Sequence, residues 1–217
     1  MPLKNRVLRT AILALVGIAI GGLIALYQIN QEQGAATVIV QGEGIAIEPM
    51  TGVQLGGDFT LIDHNGNSVT QADYADRFKL IYFGFTYCPA ICPTELQKMA
   101  QVVNALPEDI SAQIAQLFIT VDPERDTVEV MQDYVSLFHP QLIGLTGSEE
   151  QINAVKSAYK VFATKVEDET LSDYTVDHSS FIYLMSKDNQ ALMIFRMQDD
   201  KEMMTEAIAR IVGAQAG

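Results

Sequence analysis

Lys79 to Leu96 reads KLIYFGFTYCPAICPTEL and joins three kinds of segment without a break. Lys79 to Phe85 is a nearly continuous apolar run, as expected for a strand covered on both faces. Next come Cys88 and Cys92, the only cysteines of the chain, each followed by proline. Beyond them Leu96, Met99, Ala100, Val103 and Leu106 recur at helical spacing. Proline suits the first helical position, so the helix is expected from Pro93 to Leu106, with Cys92 at or beside its N-cap. Both thiols then lie at the C-terminal end of a strand and at a helix N-terminus, where open α/β sheets place their ligands.

Outward from this stretch the pattern stays regular. Upstream, Phe59 to Ile62 and Ser68 to Thr70 flank Asp63-His64-Asn65-Gly66, whose Asn-Gly step signals a hairpin. Downstream, Ile114 to Val121 reads as a second buried strand, and Val128 to Phe138 as a helix with Val128, Met131, Val135 and Phe138 inward. Leu142 to Leu145 is a short strand and Glu149 to Tyr159 a third helix. Glu167 to Asp177 is acidic and irregular. Strands at Phe181 to Ser186 and Ala191 to Met197 precede a last helix, Glu202 to Val212. Strand-helix alternation ending in a hairpin and a helix predicts an α/β fold of the thioredoxin-like kind: a central mixed sheet flanked by helices.

The front of the chain differs. Thr10 to Gln31 carries no charge and is mostly apolar, enough to cross a hydrocarbon core, so residues 10–29 are expected to form one transmembrane helix. A cleaved signal peptide is the rival reading, but the run exceeds the usual h-region and no small-x-small cleavage site follows it. Lys4, Arg6 and Arg9 precede the span, which places residues 1–9 in the cytoplasm and the rest outside. Residues 30–56, glycine-rich and aperiodic, read as a linker, leaving 57–217 as the globular domain. Three of the 14 basic residues precede the span, so eleven face all 27 acids and the exported part carries about −16. That balance argues against nucleic acid, which requires a basic footprint. No transit peptide precedes the anchor, which favours a bacterial inner membrane with the domain in the periplasm.

Two thiols this close can form a disulfide, exchange with a substrate disulfide or hold a metal. A bridge over four residues closes a very small loop and restrains the unfolded chain little. Redox relatives of this architecture use Cys-x-x-Cys after a tryptophan, whereas the spacing here is Cys-x-x-x-Cys and the chain has no Trp. The longer loop lets both sulfurs turn toward one point, which suits a chelate. A third ligand then has to come from His64, His139 or His178. His64 belongs to the hairpin turn and His139 to a helix end, and both read as ordinary surface residues. His178 runs straight into the apolar strand from Phe181, so the predicted fold sets it opposite the cysteine loop. Two thiolates and an imidazole suit Cu(I), with Zn(II) and Cu(II) also open. The methionines fall at core-like positions and form no copper-binding cluster.

Three motifs in this order carry a resemblance: Cys88-Pro89-Ala90-Ile91-Cys92-Pro93, Asp122-Pro123-Glu124-Arg125-Asp126-Thr127 and Asp177-His178-Ser179-Ser180, with Gly57-Asp58-Phe59, Leu61 and Asp63 upstream. The chain resembles the SCO/SenC family of membrane-anchored, thioredoxin-like copper chaperones for cytochrome c oxidase assembly, over about Gly57 to Val212. The resemblance implies one copper ion, Cu(I) or Cu(II), on Cys88, Cys92 and His178. It also implies delivery to the dinuclear centre of oxidase subunit II or another cuproprotein, with an upstream copper donor or thiol reductant. Release by ligand exchange implies exposed ligands in a shallow site. Asp122, at the end of a buried strand, is a candidate for supporting the ligands or for docking, and Asp126 with Glu129 reads as a capping box. The alternative function is a thiol-disulfide oxidoreductase using Cys88 and Cys92 on partner cysteines without carrying copper. A peroxidase, also compatible with the fold, lacks its Pro-x-x-x-Thr-x-x-Cys setting here.

Overall fold

Seven consecutive buried residues, Phe78–Gly84, form the central strand of the protein. The structure is a computed structural model that describes residues 45–46, 55–167 and 174–215. In chain order its elements are β1 (Ile45–Ala46), β2 (Thr60–Asp63), β3 (Ser68–Thr70), a 3-10 turn (Gln71–Tyr74), β4 (Phe78–Gly84), α1 (Ile91–Ala105) and α2 (Glu108–Ser111). They continue through β5 (Ile114–Thr120), α3 (Val128–Val135), β6 (Leu142–Thr146), α4 (Glu149–Ala158), β7 (Ala163–Val166), β8 (Thr175–His178), β9 (Phe181–Met185), β10 (Ala191–Arg196) and α5 (Lys201–Gln215).

Eight strands make one mixed sheet in the order β1-β10-β9-β4-β5-β6-β2-β3. β4, β5 and β6 are parallel, with Phe78 opposite Ile114 and Gly84 opposite Thr120. β9 and β10 extend the sheet antiparallel on one side, and β2 and β3 do so on the other. Both β4 and β5 are buried along their whole length, as their nearly continuous apolar runs foretell. The one charge inside this pair, Lys79, is satisfied by donating to the carbonyls of Ser186 and Lys187 at 3.0 and 2.8 Å.

Strand alternation sorts the helices onto the two faces. Tyr82 points to the side where it stacks on Phe118, which meets Tyr134 of α3; the Cys92 sulfur of α1 lies on this side too. Phe83, one residue on, points to the other side and meets Tyr159 at the end of α4. α5 packs against α1.

Several expectations need correction. α1 starts at Ile91, two residues before Pro93, with Ala90 as N-cap. Pro93 is therefore the third helical residue, a position whose missing N–H still costs no helical hydrogen bond. The acidic stretch after α4 is not wholly irregular, because β7 and β8 form a separate two-stranded sheet, Ala163 opposite His178. Within the segment read as a linker, Ile45–Ala46 pairs with β10. The helix that follows Asp126 is capped by Thr127, not by an Asp126-Glu129 box. The expected membrane span, 10–29, lies outside the described residues, and among those described no helix is long and apolar enough to cross a membrane.

Candidate metal centre

Cys92 is fully buried one residue inside α1, and its sulfur rests where β4 ends. The strand supplies Gly84 at this point: a Cβ there would come within 2.8 Å of the Cys92 Sγ, so only a bare backbone leaves room. Cys88 sits on the preceding loop, half-buried, and its Sγ accepts the Cys92 N–H at 3.4 Å. The Cys92 thiol donates to Cys88, and the N–H groups of Cys92, Ala90 and Ile91 point at the same sulfur. Together they draw the Cys88 thiol well below its ordinary range, toward the thiolate. The same hydrogen bond, with burial, holds the proton on Cys92. Both cysteines are free.

His178 closes the third side. It is the last residue of β8, and its Nε2 lies 3.5 Å from the Cys92 Sγ. Its Nδ1 faces the Ser179 carbonyl at 3.1 Å. A carbonyl only accepts, so Nδ1 carries the hydrogen and Nε2 presents its lone pair to the sulfur. Burial pushes the His178 pKa down, which keeps the ring in the neutral, metal-binding form. The ring stands edge-on to Tyr82 and Phe85, at 6.3 and 5.8 Å between centroids. A metal bound to thiolate at about 2.3 Å and imidazole at about 2.0 Å, at trigonal or tetrahedral angles, sets sulfur and nitrogen about 3.5–3.7 Å apart. The Cys92-His178 pair fits that span. Among the described residues no three Cys, His, Asp or Glu side chains already surround a common point. Cys92 is the shared neighbour, and Cys88 and His178 approach it separately.

The expectation of a shallow site with exposed ligands is thus met only in part. Cys92 has no exposure at all, because α1 starts early enough to carry it beneath the loop. Access is from the Cys88 side, where Tyr87 and Ile91 flank the loop at 62% and 42% exposed.

Asp122 contacts none of the three directly. Its carboxylate receives Arg125 Nε at 2.6 Å and the Tyr174 hydroxyl at 2.8 Å. Arg125 also donates to the Tyr174 carbonyl and lies over the Tyr174 ring at 3.7 Å and the Tyr87 ring at 4.7 Å. The cluster ties the start of β8, four residues before His178, to the loop after β5 and to the cysteine loop. Asp126, fully buried, accepts from the Thr86 N–H and hydroxyl and from the Thr120 hydroxyl, pinning the start of the cysteine loop to the end of β5.

The other histidines are elsewhere. His64 Nδ1 accepts the Gly144 N–H at 3.1 Å. His139, expected at the surface, is buried: its Nδ1 accepts from Gln116 and from the Gln141 N–H, and its Nε2 donates to Asn104. Tyr82, Gly84, Asp126 and Tyr174 were not foreseen as site residues. Only Gly84 left a signal, a lone glycine in a buried strand, which marks close approach by another group.

The family model described as SCO1/SenC matches residues 48–213. A mitochondrial SCO2 homolog of Bos taurus is 41% identical over 214 residues, covering 98% of this chain and 77% of that protein. A mitochondrial SCO1 homolog of Arabidopsis thaliana is 37% identical over 190 residues, and the match spans 87% of this chain but 57% of that relative. Among solved structures, Arabidopsis thaliana ScoI with copper bound superposes with a TM-score of 0.70 at 41% identity, over 74% of this chain and 99% of that one.

Proposed function

The chain belongs to the SCO1/SenC family, and from that membership and the site geometry we propose that it carries one copper ion on Cys88, Cys92 and His178. The observation that carries the reading is the Nε2 lone pair of His178 aimed at the Cys92 sulfur from 3.5 Å. Two soft sulfurs and one neutral imidazole are a donor set suited to Cu(I), and one that also accommodates Cu(II). The cargo is passed to the dinuclear centre of cytochrome c oxidase subunit II or another cuproprotein. In this reading Cys88, half-exposed on its loop, both completes the set and is the first ligand an acceptor thiol displaces. The apolar run 10–29 anchors the domain to a membrane, with residues 57–217 in the periplasm or, in a mitochondrion, the intermembrane space.

A second reading rests on the unequal thiols. An accessible, thiolate-like Cys88 beside a buried, protonated Cys92 is the arrangement by which a dithiol attacks a partner disulfide and then releases it. The two are separated by incubating the reduced, copper-loaded and copper-free protein with an oxidised subunit II fragment. Copper appearing on the fragment only after its thiols are reduced by another agent supports the carrier. Fragment thiols generated equally well without copper contradict it and support the reductase.

A further inference from the structure

We propose that Tyr82 positions two members of the ligand set, the buried Cys92 and the half-buried His178, its hydroxyl holding the Cys92 sulfur and its ring edge holding the His178 imidazole. The metal-facing part of this inference rests on the copper reading; the sulfur-facing part does not. Tyr82 is completely buried in the middle of the sheet, and a phenol in such a place is expected to have partners for its hydroxyl. That hydroxyl donates to the Cys92 Sγ at 3.6 Å and faces the hydroxyl of Ser180, two residues beyond His178. The ring is backed by Phe118, stacked at 6.3 Å with 16° between planes, and meets His178 edge-on at 69°. Gly84, on the same strand face, completes the seat: a Cβ there would lie 2.8 Å from the Cys92 Sγ and 3.0 Å from the Tyr82 ring. One side chain on the fully buried central strand thus touches candidate ligands from α1 and from β8, an element of the separate two-stranded sheet.

A hydrogen bond to a cysteine sulfur withdraws charge from it, which weakens donation to a metal and favours the reduced sulfur over the disulfide. The test uses the full-length protein and its Tyr82→Phe and Tyr82→Leu variants. The copper-free readout is the equilibrium in which the Cys88–Cys92 disulfide and two glutathiones give the dithiol and one glutathione disulfide. Removing the hydroxyl in Tyr82→Phe is expected to shift it toward the protein disulfide about three- to tenfold, tenfold being about 30 mV. In the Cu(II)-loaded protein the same variant is expected to move the thiolate-to-copper charge-transfer band to lower energy. Tyr82→Leu, which also removes the ring, is expected to shift the His178 ring resonances where Tyr82→Phe leaves them in place. A Tyr82→Phe equilibrium equal to wild type overturns the role of the hydroxyl, and His178 resonances unmoved by Tyr82→Leu overturn that of the ring. Wild type that takes up no copper defeats the carrier reading, while the glutathione equilibrium still decides the hydroxyl.

Discussion

Gly84 has no side chain because the Cys92 sulfur occupies the place a Cβ would take. Gly84→Ala is expected to push the sulfur out of its seat and to lower stability by about 1–3 kcal/mol, read from the urea midpoint. Asp126 illustrates how burial redirects a residue. Next to Thr127 and Glu129 it reads as a helix cap, yet it turns inward to bind Thr86 and Thr120, and Thr127 takes the cap. Asp126→Ala leaves those donors buried without an acceptor, and a loss of about 2–4 kcal/mol is expected in the same measurement. His139 gives a pH dependence. Burial lowers its folded pKa below the ordinary 6.5, so between the two values the unfolded chain binds more protons. Stability from this residue therefore rises with pH up to about 6.5 and is flat above. Denaturation curves from pH 5 to 8 are expected to show a shallower rise for His139→Gln than for wild type; an identical slope contradicts the assignment. No sequence pattern revealed the burial of His139, because its partners Gln116 and Asn104 lie on other elements.

Among the elements, β4, β5 and α1 were legible because each is long and has one period. The nearly continuous apolar runs of β4 and β5 are buried at all seven positions of each strand, and the buried side of α1 is the predicted one. β7 and β8 were not. Each has four residues, half-exposed, and they are joined through an acidic segment that shows no alternation. Besides its pairing with β7 and its buried Val176, β8 is tied down by Tyr174, bonded to Asp122 and covered by Arg125. Arg125→Met is expected to loosen the start of β8, raising amide hydrogen exchange at Thr175 to His178 several-fold while β4 and β5 stay protected. Exchange unchanged in that stretch would show that the tether does not restrain the histidine. The start of α1 was misplaced by two residues for a related reason. Pro93 marks a position near a helix N-terminus, and the first turn has more than one place for it.

At the scale of the molecule, the three candidate ligands come from three separate structures: a loop, a helix and the end of a minor sheet. Cys88 and Cys92 announce themselves by their spacing. His178 stands 86 residues from Cys92, and it was singled out only because the order of strands predicts which loop faces which. The mixed sheet makes that prediction hold, since β9, directly after His178, pairs with β4, which leads into the cysteines. Topology therefore brought the three candidate ligands near one another, while their surroundings, Tyr82 against Cys92 and His178 and Asp126 against Thr86, depend on packing that no pattern of hydrophobicity encodes. Whether Cys88, Cys92 and His178 are one copper site is decided by copper stoichiometry. The reduced full-length protein is equilibrated with Cu(I) against a competing chelator, alongside Cys88→Ala, Cys92→Ala and His178→Ala. One copper per wild-type chain and at least a tenfold loss of affinity in every variant are expected. Wild-type occupancy in a folded His178→Ala protein would contradict the three-residue site.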